Sequence, residues 1–117
     1  MSTAALILAA GRGMRLGGDV PKQYLPLAGQ PVLRHSITAF VRHAAIDMVR
    51  VVIHADDEPL YRGATAGLAL LPPVHGGADR QQSVHLGLES FVEMRPERVL
   101  IHDGARPLVD EATISRT

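Results

Sequence analysis

Residues Ala4-Ala5-Leu6-Ile7-Leu8-Ala9 run without a polar break into Ala10-Gly11-Arg12-Gly13-Met14-Arg15-Leu16-Gly17-Gly18, and this junction decides the fold. A short, continuous apolar run is the pattern of a strand covered on both faces, as in a parallel sheet. A glycine-rich turn directly after such a strand lets backbone N–H groups approach a polyphosphate closely. The rest of the chain alternates in the same manner. Pro31 is expected as the first residue of a helix, where its missing N–H costs nothing. Leu33, Ile37, Phe40, Val41 and Ala44 then recur at the helical period and form one stripe. Met48–His54 is a second, β-branched strand with Val49–Val52 in the core. Leu60–Leu71 reads as a helix weakened by Gly63 and Gly67 and stopped by Pro72-Pro73. Val74 and His75 form a short strand. Asp79 caps another helix with Gln82 in the reciprocal capping position, and Val84, Leu88, Phe91 and Val92 supply its apolar face. Pro96 ends that helix, Arg98–His102 is a third long strand, and Asp110 looks like the cap of a new helix. This alternation predicts an α/β fold, a Rossmann-like, mostly parallel sheet with helices on both faces. Right-handed crossovers gather the loops after the strands at one edge, where ligands bind in open sheets.

Composition narrows the partners. A chain of 117 residues suits a single domain, and 46% hydrophobic content argues for a packed core over disorder. The 12 Lys+Arg balance 12 Asp+Glu, which excludes the broad basic surface of duplex-binding proteins. The apolar runs are too short to cross a bilayer. With no cysteine and no basic, apolar leader, the expected location is the cytoplasm, with neither nucleic acid nor membrane as partner. Eleven of the basic residues are arginines and the only lysine is Lys22. Residues 1–54 carry six basic and two acidic residues, net +4, against six and ten, net −4, in residues 55–117. That imbalance is compatible with an anionic small ligand at the N-terminal half.

Three loops could carry chemistry. In the first, Gly11–Gly18 followed by Pro21-Lys22, Arg15 and Lys22 are available to neutralise phosphate charge. Its spacing is not the dinucleotide fingerprint, because Leu16 stands where the third glycine belongs and no acid follows about 20 residues on. Nor is it a Walker loop, since Lys22 follows proline. The second, Gly76-Gly77-Ala78-Asp79-Arg80-Gln81-Gln82-Ser83, opens room beside a helix N-terminus, and taken alone it reads as an ordinary strand-to-helix connection. The third is His102-Asp103-Gly104-Ala105-Arg106-Pro107. Asp103 at a strand end suits a hard cation such as Mg²⁺, and Arg106 could grip a phosphate through two N–H groups. An Asp–Arg ion pair closing the turn is the plainer reading, with His102 packed at the strand end. The histidines show no metal-ligand spacing.

Together, in this order, the loops are specific. Ala9-Ala10-Gly11-x-Gly13-x-Arg15 with Pro21-Lys22-Gln23-Tyr24, Gly76-Gly77 with Arg80 and Ser83-Val84, and His102-Asp103-x-Ala105-Arg106-Pro107 resemble the 2-C-methyl-D-erythritol 4-phosphate cytidylyltransferases. Gly29-Gln30-Pro31-Val32-Leu33 and His35-Ser36 are similar to that family too, so the resemblance spans the chain. Arg80-Gln81-Gln82-Ser83 looks most like the forms fused to a cyclodiphosphate synthase. The resemblance implies cytidylyl transfer from CTP to methylerythritol phosphate with Mg²⁺ as cofactor. It implies Arg15 and Lys22 as catalytic residues. Ala9, Ala10, Gly11, Arg12, Gly13, Gly77, Arg80 and Ser83 would bind CTP. Asp103 and Arg106 would bind the acceptor, Asp103 also holding the metal. Position 78 is Ala where many members place an acid, and the neighbouring Asp79 is a substitute. The family's members run to about twice this length, so residues 1–117 correspond to the N-terminal part of one nucleotidyltransferase domain, inactive by itself and a homodimer when full length. A cytidylyltransferase for another polyol phosphate such as ribitol 5-phosphate is the alternative, as is a nucleotide-binding module without catalysis.

Overall fold

The computed structural model describes residues 2–10 and 22–104, Lys22 by its backbone alone. The expected glycine-rich turn over Gly11–Gly18, and the elements expected after Gly104, including the Asp110 cap, lie outside them. In chain order the elements are β1 (Thr3–Ala9), β2 (Pro26–Leu27), β3 (Gln30–Pro31), α1 (Val32–Arg42), β4 (Met48–Ile53), α2 (Glu58–Ala64), β5 (Val74–His75), α3 (Arg80–Glu89) and β6 (Arg98–Asp103). Four strands form one sheet in the order β5-β4-β1-β6, and every pairing in it is parallel. The chain thus walks outward from β1 to β4 to β5, then returns to the other side of β1 for β6.

Both faces of the sheet are covered, which is why β1 is apolar without alternation. Ala5, Ile7 and Ala9 join Val49, Val51 and Ile53 of β4 on one face, under Leu33, Ile37 and Phe40 of α1 and Tyr61 and Ala64 of α2. Ala4, Leu6 and Leu8 turn to the other face with Val52, beneath Phe91 and Val84. Burial pushes the Tyr61 phenol up to about 12, so it stays neutral in this core.

Four sequence expectations are corrected here. Pro31 is not the first helical residue but the N-cap of α1, with φ −56° and ψ 143°, and it pairs with Pro26 in a small antiparallel hairpin. The stripe of α1 ends before Ala44, which is exposed beyond the last helical turn. The helix expected over Leu60–Leu71 begins earlier, at Glu58, and stops at Ala64. Pro59 at the first turn suits that start, and Gly67 at φ +83° supplies the left-handed residue that turns the chain away. Leu68 and Leu70 then pack on one core cluster and Leu71 on the other, while the Leu71 N–H donates to the Val49 carbonyl at 2.9 Å. With its N–H given to β4, Leu71 is no longer part of a helix.

The fourth correction concerns α3. Its buried positions are Ser83 and Gly87, not a stripe of large side chains, and Leu88 and Val92 are exposed. A Cβ on Gly87 would stand 2.6 Å from Leu6 Cδ2 and 3.0 Å from Val52 Cγ2, both on fully buried residues. The helix therefore lies directly on the sheet through its smallest residue. Gly87→Ala is expected to destabilise the fold by about 1–3 kcal/mol from overpacking, against roughly 1 kcal/mol of gained helix propensity. A shift of the urea unfolding midpoint to lower concentration checks it, and an unchanged or higher midpoint rejects it.

Candidate functional site at the carboxyl ends of the strands

The reversal of strand order falls between β1 and β6, the switch point at which open α/β sheets leave a crevice at the strands' carboxyl ends. A cavity of about 440 Å³ lies at this edge, lined by Leu8, Ala10, His54, Gly77, Ala78, Asp79, Arg80, Ser83 and Asp103. Four strand ends and the first turn of α3 thus contribute to one wall.

Local hydrogen bonds explain why these residues stand still. The Asp79 carboxylate accepts the Gln82 N–H at 2.8 Å, capping α3. Gln82 Oε1 reaches back to the Ala78 N–H at 2.6 Å, one residue earlier than a reciprocal capping box would take it. The buried Ser83 hydroxyl oxygen accepts the Gly77 N–H at 3.0 Å, so the loop is stitched to the helix it precedes. Gly76 continues the ladder by donating to the Ile53 carbonyl at 2.8 Å. A Cβ on Gly76 would lie 2.6 Å from Ala10 Cβ and from Ser83 Oγ. That glycine is what lets the end of β1 approach the loop. On the other side, the Gly104 N–H donates to the Leu8 carbonyl at 2.8 Å and fixes Asp103 beside β1. The Gln23 amide donates to the Ala9 carbonyl at 2.7 Å and ties the segment that begins at Lys22 to the same strand end.

The sequence of residues 3–117 matches the 2-C-methyl-D-erythritol 4-phosphate cytidylyltransferase (IspD) family. The chain belongs to this family. It is 60% identical over 114 residues to the bifunctional enzyme IspD/IspF of Paramagnetospirillum magneticum, and 59% identical over 114 residues to that of Rhodospirillum rubrum. Each match covers 97% of this chain but 30% of the relative, so the chain spans under a third of those proteins' length. Among solved structures, 4-diphosphocytidyl-2C-methyl-D-erythritol synthase from Anaerococcus prevotii superposes with a TM-score of 0.77 at 28% identity, over 99% of this chain and 48% of that one.

Within this cytidylyltransferase-family chain, Ala10, Gly77, Arg80, Ser83 and Asp103, expected from separate loops, are brought into one cavity wall. Asp79 joins them beside Ala78. Ala9 does not: its side chain is buried on the α1 face and its carbonyl is taken by Gln23. Gly11, Arg12, Gly13, Arg15 and Arg106, and the side chain of Lys22, lie outside the described residues. His102 is turned away onto the α1 face, its ring 5.2 Å from that of Phe40. Sequence reasoning missed Leu8 and His54. The signal for His54 was its place: a polar residue ending a β-branched run at the carboxyl edge of the sheet.

Proposed function

We propose that the full-length protein carrying this chain transfers the cytidylyl group of CTP to 2-C-methyl-D-erythritol 4-phosphate, in the cytoplasm, with release of pyrophosphate. The observation that carries this reading is a single cavity at the switch point, walled by the expected nucleotide residues Gly77, Arg80 and Ser83 and by Asp103, in a chain of the IspD family. An oxygen of the acceptor phosphate attacks the α-phosphorus of CTP, the bond to the bridging oxygen breaks, and its electron pair leaves with pyrophosphate. Positioning and charge neutralisation supply most of the catalysis in such a step.

Gly77, Arg80 and Ser83 hold the base and ribose in this reading, and Ala10 with Gly11–Gly13 offers backbone N–H groups to the triphosphate. Arg15 and Lys22 neutralise charge on the reacting α-phosphoryl group and the leaving pyrophosphate. Arg106 grips the acceptor phosphate. No group of three or more His, Asp or Glu side chains forms a metal cage among the described residues. Asp103, the carboxylate at the end of β6 in a wall that also holds the helix-capping Asp79, fits the way Mg²⁺ is usually held, by one or two carboxylates and the substrate's own phosphates. Bound there, the ion would offset phosphate charge.

Pyrophosphate release by the full-length protein tests this. Release is expected with CTP and methylerythritol phosphate, and its loss in excess EDTA. Release with ribitol 5-phosphate but not with methylerythritol phosphate would transfer the assignment to that acceptor. CTP binding without turnover on either would leave a nucleotide-binding module.

A further inference from the structure

His54 follows β4 and lines the cavity between Ala10 and the Gly77–Asp79 loop, yet no role in the reading above uses it. Its ring is not idle. Nδ1 accepts the Asp56 N–H at 3.1 Å, which caps the short turn Ala55–Asp57. A nitrogen that accepts a hydrogen bond carries no proton, so the neutral imidazole holds its hydrogen on Nε2. The Asp56 amide therefore selects the tautomer. Nε2 has no partner among the described residues, and the side chain is 36% exposed.

Arg80 brings a charged donor to the same wall, while two of the wall's acceptors are already engaged. Asp79 Oδ1 caps α3, and Ser83 Oγ already accepts one N–H. Asp79 and Asp103 are carboxylates, which accept and do not donate. An Nε2–H donor on this wall, which it shares with the loop assigned to the nucleoside, complements a base carbonyl oxygen, such as O2 of cytosine.

We propose that His54 is a nucleotide-binding residue, whose Nε2–H donates to a carbonyl oxygen of the pyrimidine base. This rests on the CTP reading above. His54 then serves two purposes through two nitrogens: Nδ1 holds the turn after β4, and Nε2 holds the base.

His54→Asn separates them. Asparagine keeps a side-chain oxygen able to cap the Asp56 N–H, as this residue commonly does at turns, but it cannot reach where Nε2 stood. In the full-length protein the KM for CTP is expected to rise about five- to tenfold, the loss of one hydrogen bond. kcat should stay within about twofold and the melting temperature unchanged. His54→Gln, with a longer amide donor, is expected to recover part of the loss, and His54→Phe none. A purely structural His54 predicts a silent His54→Asn. A KM for CTP within twofold of wild type in both His54→Asn and His54→Phe overturns the proposal. A wild-type protein that neither binds nor turns over CTP instead overturns the function on which it rests.

Discussion

Lys22→Ala in the full-length protein is expected to lower kcat by roughly a hundred- to a thousandfold, the usual cost of losing one preorganised charge partner at a transition state. The KM for CTP should change only a few-fold. Charge on the α-phosphoryl oxygens and on the leaving pyrophosphate is greatest in the transition state, so a cation placed there acts on kcat more than on binding. The chain's single lysine is the candidate because of where its backbone is held. Lys22 opens a short 3₁₀ turn with Gln23 and Tyr24, and buried Gln23 fastens that turn to the Ala9 carbonyl at the end of β1. Lys22→Arg is expected to recover little, since a planar fork does not replace a compact ammonium at one oxygen. Steady-state pyrophosphate release measures all three proteins. A Lys22→Ala enzyme within tenfold of wild-type kcat would remove Lys22 from the reaction.

The second large effect is on stability. Arg50→Leu is expected to destabilise the protein by about 3 kcal/mol, read as a lower urea midpoint with an unchanged slope. Arg50 sits in the middle of β4, only 7% exposed, on the face that α3 covers. Its Nε donates to the Pro72 carbonyl at 3.0 Å and its Nη1 to the Ser90 carbonyl at 2.9 Å. The guanidinium carbon stands 5.3 Å from the centre of the Phe91 ring. Burial lowers the pKa of this group from its ordinary value, but guanidinium remains charged at any pH of interest. The side chain thus closes off two carbonyls, one where the segment before β5 begins and one where α3 ends. Leucine would leave both without their donor and forgo the contact over the ring. Arg50→Lys is expected to fall between, holding one carbonyl and not both. A loss below 1 kcal/mol for Arg50→Leu would show that water replaces the donor freely.

Arg50 also marks a limit of the sequence. Met48–His54 reads as a buried β-branched strand, and an arginine at its centre is then an anomaly without an explanation. The two carbonyls that make it tolerable come from residues 22 and 40 positions away. The same limit applies to α3. A helical stripe of Val84, Leu88, Phe91 and Val92 was the natural reading, because apolar spacing is the visible signal. Contact distance to the sheet is not visible: Val84 and Phe91 do pack on the core, but Ser83 and Gly87 take the close contact and Leu88 and Val92 are left exposed. In the segment after α2, apolar spacing suggested more helix, while the left-handed Gly67 and the Leu71 bond to Val49 turned the chain onto β4.

The site divided along the same line. Gly77, Arg80, Ser83 and Asp103 were legible through the family resemblance that the order of the loops carries, since loop order is written along the chain. His54 had only its place at the end of a β-branched run to mark it, and its importance depends on which strand lies next to which.

What the sequence determined by itself was the alternation of strand and helix, the burial of β1 on both faces, and the family. Those depend on composition and spacing along the chain, which folding does not change. What the tertiary structure decided was the strand order β5-β4-β1-β6 and, through it, the crevice. Only that order sets the ends of β1, β4 and β6 around one cavity with the first turn of α3. Cavity walls are made by residues distant in sequence, and no local pattern records their meeting.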